Sequence, residues 1–278
     1  MTEPAQSIPI RRGVVFTDLD ATLLDHHDYD WQAAAPALAQ LAERGVPVCI
    51  VTSKTAAEVV ALRRELGNVH PFAVENGGAV AVPVGYFEGA PVTPDTDLAI
   101  TTLGADVAAL RALAAALRDA HGYRFRGFAD MSVNEVQAAT GLDPVGAAQA
   151  RDRRASEPLL WQDSDTARAD FARRVESAGF TTRTGGRFVH LLGHAHKGDA
   201  LDWLRARFQS AGGPILAVAL GDSPNDVDML SAADIGYWIA RPDGSYQEPA
   251  SGAIRHAPGI GPVGWAAAIA ELIDNNEL

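Results

Sequence analysis

Gly13-Val14-Val15-Phe16-Thr17-Asp18-Leu19-Asp20-Ala21-Thr22 joins an apolar run, rich in β-branched residues, to two carboxylates two residues apart. The run reads as a buried parallel strand, because such strands are covered on both faces and show no polar alternation. Working outward, Ala and Leu dominate about 31–44, and Gly45 closes that helix as a C-cap. Val46-Pro47-Val48-Cys49-Ile50-Val51 is a second buried strand, ending at Thr52-Ser53-Lys54. A helix over about 56–66 stops at Gly67, and the turn Glu75-Asn76-Gly77-Gly78 precedes a strand over 79–82. Strands alternating with helices at this spacing predict an α/β fold with a Rossmann-like parallel sheet. Ligands bind beyond the carboxyl ends of such strands, which is where Asp18 and Thr52 fall.

The rhythm then breaks. Residues 83–97 are rich in Pro, Gly and Thr and read as a linker. Helices are predicted over about 105–121, 133–140, 144–154 and 166–177. Strands are predicted over 159–161, 180–183 and 187–192, the last two flanking the turn Thr184-Gly185-Gly186. The alternation returns with a helix from Lys197 to about 209 and the strand Ile215-Leu216-Ala217-Val218-Ala219-Leu220, ending at Gly221-Asp222. A short helix over 225–232, a strand over 235–239 and a helix over 264–272 follow. One α/β domain split in sequence is therefore expected, residues 1–87 and 191–278, with an α+β module at 88–190 inserted in it.

The chain has 278 residues, 47% of them hydrophobic, enough for a full core. It contains no apolar run of membrane-spanning length. Nor does its N-terminus have the form of a secretory signal, so a cytoplasmic home is expected. Cys49, the one cysteine, lies in a core-like strand and excludes an internal disulfide or a thiolate zinc cluster. A net charge of −12 disfavours nucleic acid and anionic lipid as partners. That charge is uneven: between Glu88 and His190 stand 12 Arg, no Lys and 14 acids. Some of those arginines are candidates to face an anionic substrate.

Four short pieces carry chemistry. Asp18 and Asp20 offer one carboxylate to attack phosphorus and another to handle protons. Gly221-Asp222-Ser223-Pro224-Asn225-Asp226 gathers acids at another strand end. Oxygen ligands without Cys or His suit a hard cation such as Mg²⁺. Lys197, opening a helix, would offset the repulsion among four carboxylates and a phosphate. Thr52 or Ser53, at a helix N-terminus, would cradle phosphate oxygens. His194 and His196 could suggest a metal pair, but the bland reading is favoured, since no further soft ligand accompanies them.

As a set these four pieces, in this order, resemble the haloacid dehalogenase superfamily over the whole chain. The resemblance implies Asp18 as nucleophile, Asp20 as general acid/base, Thr52 or Ser53 as phosphate ligand and Lys197 as charge stabiliser. It implies Mg²⁺ held by Asp18, Asp222, Asp226 and the backbone carbonyl of Asp20. It also implies a cap at 88–190 that selects substrate. Ala21 departs from the pattern, which usually has Gly there, and would be strained if its φ were positive.

The stretches FTDLDATLLDHHDYDW, PFAVENGGAV, RRASEPLLW, GGRFVHLL and LGDSPNDVDML are similar to the mannosyl-3-phosphoglycerate phosphatase family. That resemblance implies a glycosyl-3-phosphoglycerate substrate and a glycosylglycerate product, a compatible solute. Its carboxylate would need a forked cation, for which Arg153, Arg154 and Arg187 are candidates. Ser156, Glu157 and Asn76 are candidates for its hydroxyls. Two alternatives stand beside this: a phosphatase of sucrose phosphate or a hexose phosphate, and a weakly active relative that binds a sugar phosphate.

Overall fold

The computed structural model describes residues 12–185, 188–247 and 254–278. Its elements open with β1 (Arg12–Thr17), α1 (Ala35–Glu43), β2 (Val48–Ile50), α2 (Ala56–Leu66), β3 (Phe72–Val74), β4 (Ala79–Pro83) and β5 (Leu98–Thr102). The middle of the chain forms α3 (Val107–His121), β6 (Phe125–Gly127), α4 (Val133–Thr140), α5 (Pro144–Arg151), β7 (Ser156–Trp161), α6 (Asp165–Ser177), β8 (Thr181–Gly185) and β9 (Phe188–Leu192). The last part forms α7 (Lys197–Gly212), β10 (Ile215–Gly221), α8 (Val227–Ala232), β11 (Ile235–Ala240), β12 (Arg255–Ile260) and α9 (Gly261–Asp274).

A five-stranded sheet runs β12-β11-β10-β1-β2, with parallel pairing throughout. The chain passes from β1 to β2 on one side and from β10 to β12 on the other. The order therefore reverses at β1, the position where open α/β sheets leave a crevice at their carboxyl edge. Burial along β1 explains its unbroken apolar run. Val14 and Phe16 pack with Leu201 and Leu204 of α7 and Met229 of α8. Val15, between them, packs with Leu41 of α1 and Trp265 and Ile269 of α9. Each side chain so buried contributes roughly 1.5–3 kcal/mol. Cys49 is buried in the first of these layers, with Val14 and Phe16, as its apolar setting predicted.

β3, β4 and β5 make a small antiparallel sheet, tied to the chain after β2 by a Val51–Ala73 bridge. β6-β7-β9-β8 form a separate antiparallel sheet. Leu110 of α3 and Phe171 and Val175 of α6 pack on it with Leu159, Val189 and Leu191.

Three strands were not foreseen. β5 follows the expected linker and pairs with β4; only Leu98 and Ile100 supply apolar character, on one face of an exposed edge. β6 is three residues long. β12 contains Pro258 and Gly259, which argue against a strand, but it lies at the sheet edge, where a missing donor is tolerated. α5 stops at Arg151 rather than 154, because the chain then turns into β7, which begins at Ser156 rather than 159.

Candidate active site

Asp18 leaves β1 at the reversal point, its N–H donating to the Leu220 carbonyl of β10. Beneath it Trp265 donates from its indole nitrogen to Thr17 Oγ1 at 3.0 Å, which fixes the end of the strand from α9. Lys197, the first residue of α7, is fully buried and points into the same crevice. Its Nζ lies 2.8 Å from Asp18 Oδ1 and 2.6 Å from Asp226 Oδ1. The second oxygen of Asp226 accepts the N–H groups of Asp222 and Ser223 at 3.1 and 3.0 Å, so the loop after β10 is folded around it. Asp222 Oδ1 accepts from the Thr22 hydroxyl at 3.2 Å. Three stretches, some of them about two hundred residues apart, thus meet at one point.

The electrostatics of that point are unbalanced. One oxygen each of Asp18, Asp222 and Asp226 lies within 4.8 Å of the others, and all three residues are buried. Burial, then the neighbouring Asp226, pushes the Asp18 carboxyl up to about 8 against the pull of Lys197. The same two causes raise Asp222 to about 6. Burial alone would lower the Lys197 ammonium, but Asp18 and Asp226 more than offset it and hold it above the ordinary lysine range. A single ammonium among three carboxylates leaves net negative charge in a low-dielectric pocket, which is costly unless a cation joins it. An oxygen-only donor set of this kind fits Mg²⁺. Asp18, Asp222 and Asp226 are the residues that would hold it.

Asp20 sits at the same strand end, with its Oδ1 2.8 Å from Lys54 Nζ. The Lys54 ammonium also lies 5.1 Å above the Tyr29 ring. Ala21 has φ +59°, so the strained alternative for this position is the one adopted. The turn is held by Thr22 and Leu24 N–H groups, both donating to the Leu19 carbonyl. Thr52 is fully buried, and its hydroxyl accepts the Lys54 N–H at 3.3 Å. Ser53 instead lines an open cleft of about 450 Å³ together with Asn76, Arg183, Thr184, His190, Ser223, Pro224 and Asn225. Asn76 thus stands in the cleft wall, its Oδ1 accepting from Asn225 Nδ2 at 2.9 Å.

Of the other candidate substrate ligands, Arg153, Arg154, Ser156 and Glu157 are not among the residues that line this cleft. Glu157 is buried within the four-stranded unit, its oxygens taken by Arg111 Nε and the Ala129 N–H, each at 2.8 Å. The Ser156 hydroxyl is buried and donates to Glu75 Oε2 at 2.5 Å. Arg153 spends its Nε on the Ala150 carbonyl and one terminal nitrogen on Ser156, both at 3.0 Å. Arg154 is exposed, and its backbone N–H, not its guanidinium, makes the contact to Glu75. Arg187 lies outside the described residues. His196 is a helix cap, accepting the Asp199 N–H at 3.2 Å, which fits the bland reading of it.

Sequence reasoning missed Arg183, Thr184 and His190 in the cleft, and Lys54 beside Asp20. Arg183 and His190 face each other across the β8–β9 pair, in a register that sets Gly185 opposite Phe188, whereas strands flanking a turn at 184–186 would have set Arg183 opposite Arg187. Burial, then Arg153, lowers the His190 imidazole to about 4.

Residues 15–88 match the model of the haloacid dehalogenase-like hydrolases. Over 268 residues, 95% of this chain and 98% of the relative, it is 37% identical to a glucosyl-3-phosphoglycerate/mannosyl-3-phosphoglycerate phosphatase of Methanococcoides burtonii. A phosphatase so named from Persephonella marina shows the same identity and coverage. Among solved structures, a haloalkanoate-superfamily phosphatase of Bacteroides thetaiotaomicron superposes over the full length of both chains with TM-score 0.67 at 15% identity. The sucrose-phosphatase of Synechocystis, solved with sucrose and phosphate, covers 96% of this chain and 98% of its own with TM-score 0.60 at 14% identity. The last two comparisons speak to fold, and the first two speak to kinship. With the buried carboxylates and lysine at the sheet's reversal point, they establish that the chain belongs to the haloacid dehalogenase-like hydrolases and is a phosphoric monoester hydrolase of that family.

Proposed function

We propose that this phosphatase hydrolyses a glycosyl-3-phosphoglycerate, mannosyl or glucosyl, to the glycosylglycerate and phosphate through an aspartyl-phosphate. The observation that carries the chemistry is Lys197 held between Asp18 and Asp226 at the carboxyl edge of β1. An Asp18 oxygen attacks phosphorus and the ester C–O–P bond breaks on the leaving side. Asp20 gives its proton to the departing alkoxide. It then takes a proton from water, which attacks the same phosphorus and frees Asp18 and inorganic phosphate. Lys197 stabilises the charge spread over the transferring group, and Ser53 or Thr52 with its neighbouring backbone N–H groups orients it. Bound by Asp18, Asp222, Asp226 and the Asp20 carbonyl, Mg²⁺ would neutralise charge on the nucleophile and on the phosphoryl oxygens.

The substrate class rests on the two relatives' names and on the cleft. We take the unit built on β6–β9, within residues 88–190, as the cap. Arg183, Thr184 and His190 come from it, and Ser53, Asn76 and Asn225 come from beneath. A cavity of that size suits a small polar ligand. Arg183 offers a fork to the glycerate carboxylate, the role expected of Arg187, Arg153 and Arg154. The deciding assay is phosphate release from mannosyl- and glucosyl-3-phosphoglycerate beside sucrose phosphate and hexose phosphates, with Mg²⁺ and after chelation. A kcat/KM on the glycosyl phosphoglycerates no higher than on the simple hexose phosphates would sink the substrate assignment. A weakly active relative has one observation in its favour, the positive φ of Ala21, and the same assay measures it directly.

A further inference from the structure

One short turn touches three of the loops that build the candidate site, those at Thr52–Lys54, His196 and Asn225, and its first residue, Glu75, has no part in the proposed chemistry. Glu75, Asn76 and Gly77 have φ of +53°, +59° and +87°, and two of the three carry side chains that rarely adopt such values. Strain of this kind persists where the surroundings over-determine it, and it clusters at functional sites. Here the surroundings are explicit. The Glu75 and Asn76 N–H groups donate to the Lys54 and Thr52 carbonyls, both at 2.9 Å. The Asn76 side chain reaches Asn225 in the loop after β10. A Cβ on Gly77 would overlap the His196 carbonyl, so the turn lies directly against the residue that precedes Lys197.

The Glu75 carboxylate points the opposite way. It is buried, and three donors of the other unit converge on it: the Arg154 N–H at 2.8 Å, the Ala155 N–H at 3.1 Å and the Ser156 hydroxyl at 2.5 Å. Those residues are the path by which the chain leaves α5 and enters β7. Arg153 extends the connection by donating to the same Ser156 oxygen. Both oxygens of Glu75 accept, one from Arg154 and the other from Ala155 and Ser156. An amide offers one oxygen, and its NH₂ group would confront an N–H or O–H.

We propose that Glu75 is a positioning residue that seats the four-stranded unit on the parallel unit, keeping Arg183, Thr184 and His190 in register with Ser53, Asn76 and Asn225 across the cleft. This rests on the reading of that four-stranded unit as the substrate-selecting cap. A group that only stabilised the fold would affect all substrates alike. A register device affects those that touch both walls, since displacements of about 1 Å are enough to cost up to 10²-fold.

The test uses the full chain, with Glu75→Gln, Ser156→Ala and the pair. The substrates are the phosphorylated sugar that wild type turns over best and p-nitrophenyl phosphate, which is too small to span the cleft. The readout is the preference, the ratio of the two kcat/KM values. Glu75→Gln lowers that preference about 10-fold, chiefly through KM on the sugar. Ser156→Ala lowers it less, and the double variant is no worse than Glu75→Gln alone, because the two act through one contact. An unchanged preference with Glu75→Gln, or additive effects in the pair, overturns the proposal. If Glu75→Gln does not fold, Ser156→Ala carries the test, and a preference equal to wild type overturns it. A wild type without preference for the sugar would instead reject the cap reading. If glycosyl phosphoglycerates are not substrates, that assignment alone falls and the ratio is read on another sugar phosphate.

Discussion

At the carboxyl edge of the five-stranded sheet, three buried carboxylates share one buried ammonium. The four-stranded unit carries many more charges and arranges them otherwise. Arg111 meets Glu157, Arg118 meets Asp130, Arg126 meets Glu135, and Arg173 and Arg174 meet Asp170. Most of these pairs stand at the surface, where each contributes about 0–1 kcal/mol. The first region is left short of positive charge, and the second is balanced. An imbalance that folding alone would not retain fits the proposed entry of a cation and a phosphate there, and balance marks where charge serves solubility and packing.

The sharpest way to break this contrast is Asp18→Asn. It removes the proposed nucleophile and eases the crowding of carboxylates, so turnover falls at least about 10³-fold while thermal stability without metal holds or rises. A large loss of stability would show that the acids there are structural. Next is Arg111→Met in the balanced region. It leaves the Glu157 carboxylate buried beside one backbone donor and costs about 2 kcal/mol, less than a fully buried pair because Arg111 is partly exposed. The melting temperature should drop by several degrees with kcat little changed.

The two regions are then compared by pH. His70, near the parallel sheet, is lowered to about 4 by burial and then by Arg63 and Arg12; His190 in the cleft is lowered to a similar value. Both bind protons more weakly folded than unfolded. Their stabilisation is therefore complete above about pH 6.5 and is lost as pH falls toward 4. Acid unfolding curves of His70→Phe and His190→Gln should each be flatter than wild type in that window, and equal slopes would refute the assignment. The smallest effect is at Ala21. Relief of a left-handed φ is worth about 1–2 kcal/mol, and glycine's extra freedom in the unfolded chain takes back roughly half. Ala21→Gly should thus raise the melting temperature by only one or two degrees, with the same Mg²⁺ dependence of activity.

The legibility of the chain followed its burial. β1, β2 and β10 were readable because strands covered on both faces are uniformly apolar, and acids at their ends stand out. α2 and α4 were placed to the residue, since Thr55 and Ser132 form capping boxes and Gly67 and Gly141 end the helices in left-handed conformation. β5, β6 and β12 were invisible, being short or at edges where sequence is weakly constrained. In the candidate site, Asp18, Asp20, Asn76, Lys197, Asp222 and Asp226 were legible. Ser156 and Glu157 were misjudged because a polar residue's partner is not encoded next to it: their bonds run to Glu75, Arg111 and Ala129.

Sequence alone determined the parallel sheet, the strand-end acids and the lysine that converge in the candidate site, and the existence of a second, arginine-rich unit. These follow from local rules, apolar runs and helix ends, that act over a few residues. Tertiary structure alone decided which arginine meets the cleft, that Ala21 and Glu75 take left-handed conformations, and that one carboxylate grips the crossing between the two units. The last of these depends on hydrogen bonds between residues some eighty positions apart, and only the packed chain specifies such pairings.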